Sequence, residues 1–135
     1  NAMFVYHTHS GIRYLALLFG ILALGYALYG VATGRPYDQR MRKLAGYFAV
    51  TFHVNVLTGV ALLFTGTGFY PQLGIHVLAM IGAAVVAQIV PSVMRRRPME
   101  ERTFMPHVVN VAAALALMIF GILSIPGAGI VGSRL

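Results

Sequence analysis

Four apolar runs, each about as long as a lipid crossing needs, constrain this chain more than any other feature. A helix rises about 1.5 Å per residue, so roughly 20 apolar residues cover a hydrocarbon core of about 30 Å. The runs fall at about 11–33, 44–65, 73–94 and 105–125, and with their short links they nearly exhaust the 135 residues. Four retained helices therefore leave no room for a separate catalytic domain. The expectation is one all-α domain over residues 3–135, an integral membrane four-helix bundle in which short links make successive helices antiparallel, up-down-up-down.

Boundary residues agree with this division. Gly34 and Pro36 follow the first run, Pro106 lies in the first turn of the last, and Pro126-Gly127 ends it, as helix punctuation requires. Gly66 to Gln72 reads as an uncharged, Gly-rich turn with Phe69 and Tyr70 suited to the headgroup level. Asn1-Ala2 ahead of Met3 read as the remnant of a cleaved tag, and the first run, opening with His7, His9 and Arg13, reads as a retained helix rather than a signal peptide.

Charge orients the bundle. The net charge of +7 does not point to nucleic acid, because the cations gather in two links. Arg35, Arg40, Arg42 and Lys43 lie in the first, and Arg95, Arg96, Arg97 and Arg102 in the third, so eight of the ten Lys and Arg residues sit there. The second link has none. The positive-inside bias then puts the first and third links in the cytoplasm and both termini outside. Small residues on outward faces leave a homodimer open.

What is missing narrows the chemistry. No cysteine is present, which removes disulfides, iron–sulfur ligation, thiolate zinc and covalent haem attachment. The only acids are Asp38, Glu100 and Glu101, all in basic links, so no carboxylate sits at depth for a pump-like relay. No Ser-His-Asp grouping, His-Glu-x-x-His motif or phosphate loop occurs.

The histidines remain. His7 and His9 open the first helix, His53 lies near the middle of the second, His76 near the start of the third and His107 at the start of the fourth. Sorted by height, His9 and His76 share one level near the outer face, while His53 and His107 lie deeper or nearer the cytoplasm. Imidazoles from facing helices on either side of a flat macrocycle are what low-spin haem requires. Small residues share the faces of His9 and His76, and Arg13, one turn from His9, suits a haem propionate. The inner pair is less well matched: His53 is on the order of 13 Å from its helix end and His107 about 4 Å, so a bond from Asn110 to His53 competes with ligation. The bland alternatives are interfacial histidines, an Arg13 that snorkels, and small-residue stripes that serve packing. Copper held by His7, His9, His76 and Met80 is a further alternative.

The segments His7-Thr8-His9-Ser10-Gly11-Ile12-Arg13-Tyr14, Arg42-Lys43-Leu44, Thr51-Phe52-His53 ahead of Leu57-Thr58-Gly59, and His76-Val77-Leu78-Ala79-Met80 resemble small four-helix bacterial membrane proteins of the cytochrome-b-like group. The resemblance covers most of the chain. It implies noncovalent haem b, His9, His53 and His76 as its histidines with Arg13 beside the first, and an electron-transfer role with quinone or another redox partner. His107 matches no part of it. The rival expectation is a haem-free membrane protein, an assembly factor, interaction partner or permeation unit, whose histidines link helices.

Overall fold

The computed structural model describes residues 2–65 and 69–129. Its helices are α1 (Ala2–Thr33), α2 (Gln39–Thr65), α3 (Pro71–Arg96) and α4 (Met105–Leu123), with a short 3₁₀ turn at Met99–Glu101 between the last two. All four are long and apolar enough to cross a membrane. At 19 residues, α4 is about 28 Å long, close to one hydrocarbon thickness. The chain is thus a helical bundle of the kind a multi-pass membrane protein forms.

The helices overrun the apolar runs at several ends. Helix α1 begins at Ala2 instead of near Gly11, and α2 begins at Gln39 and carries Arg40, Arg42 and Lys43 in its first turns. Apolarity marks what can lie in hydrocarbon, whereas the hydrogen-bond ladder continues into the polar layer, where long basic side chains reach water. Residues 66–68 of the expected Gly-rich turn lie outside the described residues.

Each helix packs on two others around a square: α1 on α2 and α4, and α3 on α2 and α4. The α1–α2 and α3–α4 hairpins share the most extensive faces. On α1 the buried positions are Ala16, Gly20, Ala23, Ala27 and Gly30, alternately four and three apart, the seam of near-parallel helices. Phe48 and Phe52 of α2 and Val111, Ala114 and Met118 of α4 meet that seam. Small residues dominate because lipid supplies no hydrophobic drive between helices, so close backbone approach has to hold them together.

One end of the bundle carries both basic links. There Gly34 adopts φ +65°, a left-handed helix stop that favours glycine. Tyr26 donates a hydrogen bond to the Asp38 carboxylate, the Met41 amide donates to the same group, and Arg35 pairs with it at 3.4 Å. Burial acts to raise the Asp38 pKa, but these hydrogen bonds and the Arg35 and Arg40 charges outweigh it and hold the carboxyl below its usual range. Together they tie α1 to the start of α2.

Pro91 is buried inside α3 and has no N–H for the carbonyl of Ala87 four residues back. Asn110 of α4 donates its side-chain amide to that carbonyl at 3.4 Å. A polar group on one helix thus answers a backbone gap on its neighbour. Asn110 bonds there and not to His53.

Candidate functional site

At the end opposite the basic links, the seam opens into a small cavity of about 70 Å³, below the range of drug-sized ligand pockets, about 300–1,000 Å³, so a larger group would have to part its walls to enter. His9, Arg13 and Ala16 of α1, Phe52, Asn55 and Gly59 of α2, His76 and Met80 of α3, and Met118 of α4 are on its walls. The lining is apolar apart from His9, Arg13, Asn55 and His76. Counting turns along α2, His9 meets it about 12 Å from the end of that helix.

The two histidines meet edge to face, their ring centroids 6.5 Å apart and their planes at 85°. Each is held by the same nitrogen. His9 Nδ1 lies 3.0 Å from the Asn55 carbonyl and 3.0 Å from Thr58 Oγ1, while His76 Nδ1 lies 2.8 Å from the Gly121 carbonyl. A carbonyl accepts only, so Nδ1 carries the proton in both rings and Nε2 keeps its lone pair. Neither Nε2 has a hydrogen-bond partner among the described residues.

Anchoring His9 this closely to α2 needs a residue without a side chain. A Cβ on Gly59 would lie 3.0 Å from His9 Cε1, tighter than normal van der Waals contact. Thr58 turns its own hydroxyl back to the Asn55 carbonyl and side chain, at 2.9 Å each.

A metal ion between two imidazoles would need both Nε2 atoms aimed at it along one line. With metal–nitrogen bonds of about 2.0–2.1 Å and each ring centre on the order of 1.1 Å behind its nitrogen, collinear ligation separates the centroids by about 6.3 Å. The rings are 6.5 Å apart. Among the described residues no group of three or more His, Cys, Asp or Glu side chains could hold a metal, so a four-coordinate ion or larger would need ligands from a group bound with it.

Arg13 lies on the cavity wall with Nη2 donating to the Tyr14 hydroxyl at 2.8 Å and Nη1 to the Gly129 carbonyl at 3.5 Å. Its Nε is buried without a partner among the described residues. A guanidinium with an unused buried donor beside a cavity is ready for a carboxylate.

The other two histidines stand elsewhere. His53 Nε2 meets Gln88 Oε1 at 3.0 Å across the α2–α3 seam, and Gln88 donates to Ser92 at 2.8 Å. His107 is fully buried near the basic end, stacked on Tyr37 and sharing a 2.8 Å hydrogen bond with its hydroxyl. Burial pushes the Tyr37 pKa up to about 12, so that hydroxyl keeps its proton at neutral pH. His53 and His107 therefore engage different partners on different seams, while His9 and His76 meet.

Sequence reasoning assigned no role to Gln88, Tyr37, Asn55, Thr58 or Gly59. Gln88 carried a usable signal, since an amide at mid-helix in a lipid-spanning run needs a partner. Tyr37 carried none, because nothing in a link's composition reveals which side chain folds back into the bundle. No family model, curated protein or solved structure matches this chain.

Proposed function

We propose that this is a membrane redox protein that holds haem b between His9 and His76, with Arg13 as the partner of a haem propionate. The observation that carries the reading is the paired anchoring: two adjacent rings on the wall of one apolar cavity, each tied through Nδ1 to a backbone carbonyl, which leaves Nε2 as the nitrogen with a lone pair. Such outer hydrogen bonds set the tautomer and raise ligand basicity in metal-binding histidines. A haem would supply one-electron chemistry there. The chain's own part is to present two nitrogens, keep water from the cavity with Phe52, Val56 and Met118, and balance a carboxylate with Arg13. By the charge of the links, the site lies toward the outer face of a bacterial cytoplasmic membrane, and quinone is the proposed exchange partner.

A second reading has one specific observation behind it. Met80 and Met118 line the same cavity as the two histidines, and thioether with imidazole is a donor set suited to Cu(I). Visible spectra of detergent-purified protein, oxidised and reduced, with iron and copper measured on the same sample, separate the two. Haem predicts a sharp Soret band that His9→Ala or His76→Ala abolishes and His53→Ala retains. Stoichiometric copper without that band would favour the second reading. Neither metal, even after haem and copper are supplied, would leave a haem-free protein whose histidines join helices.

A further inference from the structure

The basic end of the bundle carries a second hollow, of about 500 Å³, within the range of ligand pockets, about 300–1,000 Å³. One wall comes from the end of α1 and its link, residues 30–37, and the other from the α3–α4 link and the start of α4, residues 99–105. Its base is packed aromatic. Phe104 lines the hollow while only 5% exposed, and its ring lies so near α1 that a Cβ on Gly30 would come within 2.5 Å of it. The same ring meets those of Tyr26 and Tyr37, with centroids 5.9 and 5.3 Å away, and Tyr37 is held in turn by His107.

Two arginines line this hollow from opposite links, Arg35 from the first and Arg102 from the third. Arg102 is fixed by the chain itself. Its Nε donates to the Arg97 carbonyl at 2.9 Å and its Nη2 to the Arg95 carbonyl at 3.3 Å, which caps the carbonyl end of α3 and leaves Nη1 without a partner among the described residues. Arg35 is partly engaged, with Asp38 at 3.4 Å and against the rings of Tyr26 and Tyr29, 5.6 and 5.5 Å from their centroids. Among the described residues Glu100 is the one acid on the lining, and it makes no ion pair. Around it the two links carry eight Lys and Arg residues against three acids, so the charge at this end is positive and Glu100 works against it.

We propose that this hollow seats the phosphodiester of an anionic phospholipid, with Arg102 Nη1 as its principal donor and the Thr103 hydroxyl, on the same lining, as a second. Basic pockets between membrane helices at the charged end of a bundle suit such headgroups. A lipid, and not a free phosphate, is the occupant because the rim is apolar where the helices begin: Val31 of α1 and Met105 of α4 line the hollow while 40% and 51% exposed. Both belong to helices long and apolar enough to cross a membrane, so acyl chains leaving the hollow have hydrocarbon-facing surface to lie on. The seated headgroup would join the α1–α2 hairpin to the α3–α4 hairpin, whose faces on each other are less extensive than those within each hairpin. It uses the end of the bundle opposite His9 and His76 and does not depend on what they hold.

The test uses the full chain in dodecyl maltoside, titrated with dioleoyl phosphatidylglycerol, dioleoyl phosphatidylcholine and inorganic phosphate, with bound lipid read by native mass spectrometry and stability by thermal unfolding. Phosphatidylglycerol should be retained and raise the unfolding temperature, and phosphatidylcholine, with the same chains, should bind about fivefold more weakly or less. Arg102→Gln should weaken phosphatidylglycerol by about fivefold, and Glu100→Gln, which touches no contact of the fold, should strengthen it by about as much. Arg96→Gln removes an exposed cation of the same link that does not line the hollow and should change binding less than about twofold. Because Arg102 also caps α3, the gain at Glu100 is the deciding arm. Equal retention of the two lipids, equal losses at Arg96 and Arg102, or no gain at Glu100 would each overturn the proposal in favour of diffuse charge. Displacement of the lipid by millimolar inorganic phosphate would give the hollow to a free anion and overturn the lipid assignment.

Discussion

At the scale of single residues, the site depends on how His9 is pressed against α2. Its Nδ1 bonds fix the ring while Gly59 leaves just enough space beneath Cε1. Gly59→Ala sets two effects against each other. Alanine gains about 0.8–1.0 kcal/mol in a helix interior, but its Cβ pushes on a ring that can yield only by stretching its hydrogen bonds. We expect thermal stability to change little while the His9 ¹⁵N signals shift and binding at the cavity weakens. Unchanged His9 signals would mean that the ring is not held as described. His9, His76 and Arg13 were legible as candidates, since each is an expensive residue in an apolar run. Their anchors were not: a backbone carbonyl such as that of Asn55 or Gly121 has no signature in the side-chain alphabet.

At the scale of elements, the α3–α4 contact is built around a missing hydrogen bond. Pro91 frees the Ala87 carbonyl and Asn110 takes it up. Replacing Asn110 by Leu should therefore destabilise the protein by about 0.5–1.5 kcal/mol. In a Pro91→Ala background, where the α3 ladder can close on itself, the same change should cost much less. A double-mutant cycle on unfolding in mild detergent measures the difference; additive effects would show that the two residues are not coupled. The spans of these helices could be read from apolarity, and their ends less well, because α1 and α2 continue into polar sequence. The Asn110–His53 bond weighed against ligation does not form, for a definite reason: height along two helices says nothing of rotation about their axes. Rotation turned Asn110 to Ala87 and His53 to Gln88.

For the whole molecule, the two ends are chemically unlike. The basic links occupy one end with the Asp38 cluster and the Tyr37–His107 stack, and the cavity occupies the other. If the positive-inside bias sets orientation, both termini lie outside the cytoplasm and the cavity lies toward that side. A periplasm-active phosphatase fused after Leu135 should then be active, and a cytoplasm-dependent fluorescent reporter at the same point dark. The opposite pattern would invert the orientation and put the cavity on the cytoplasmic side. An all-α bundle of four spans followed from the sequence alone, because the cost of bare backbone in hydrocarbon leaves few structures available to four such runs. Which histidines meet was decided by tertiary structure. Pairing depends on the rotation of each helix about its axis, set by where Ala and Gly let backbones approach, and on single gaps such as Pro91. Those same contacts brought His9 to His76, drew His53 to the α2–α3 seam and buried His107 against Tyr37.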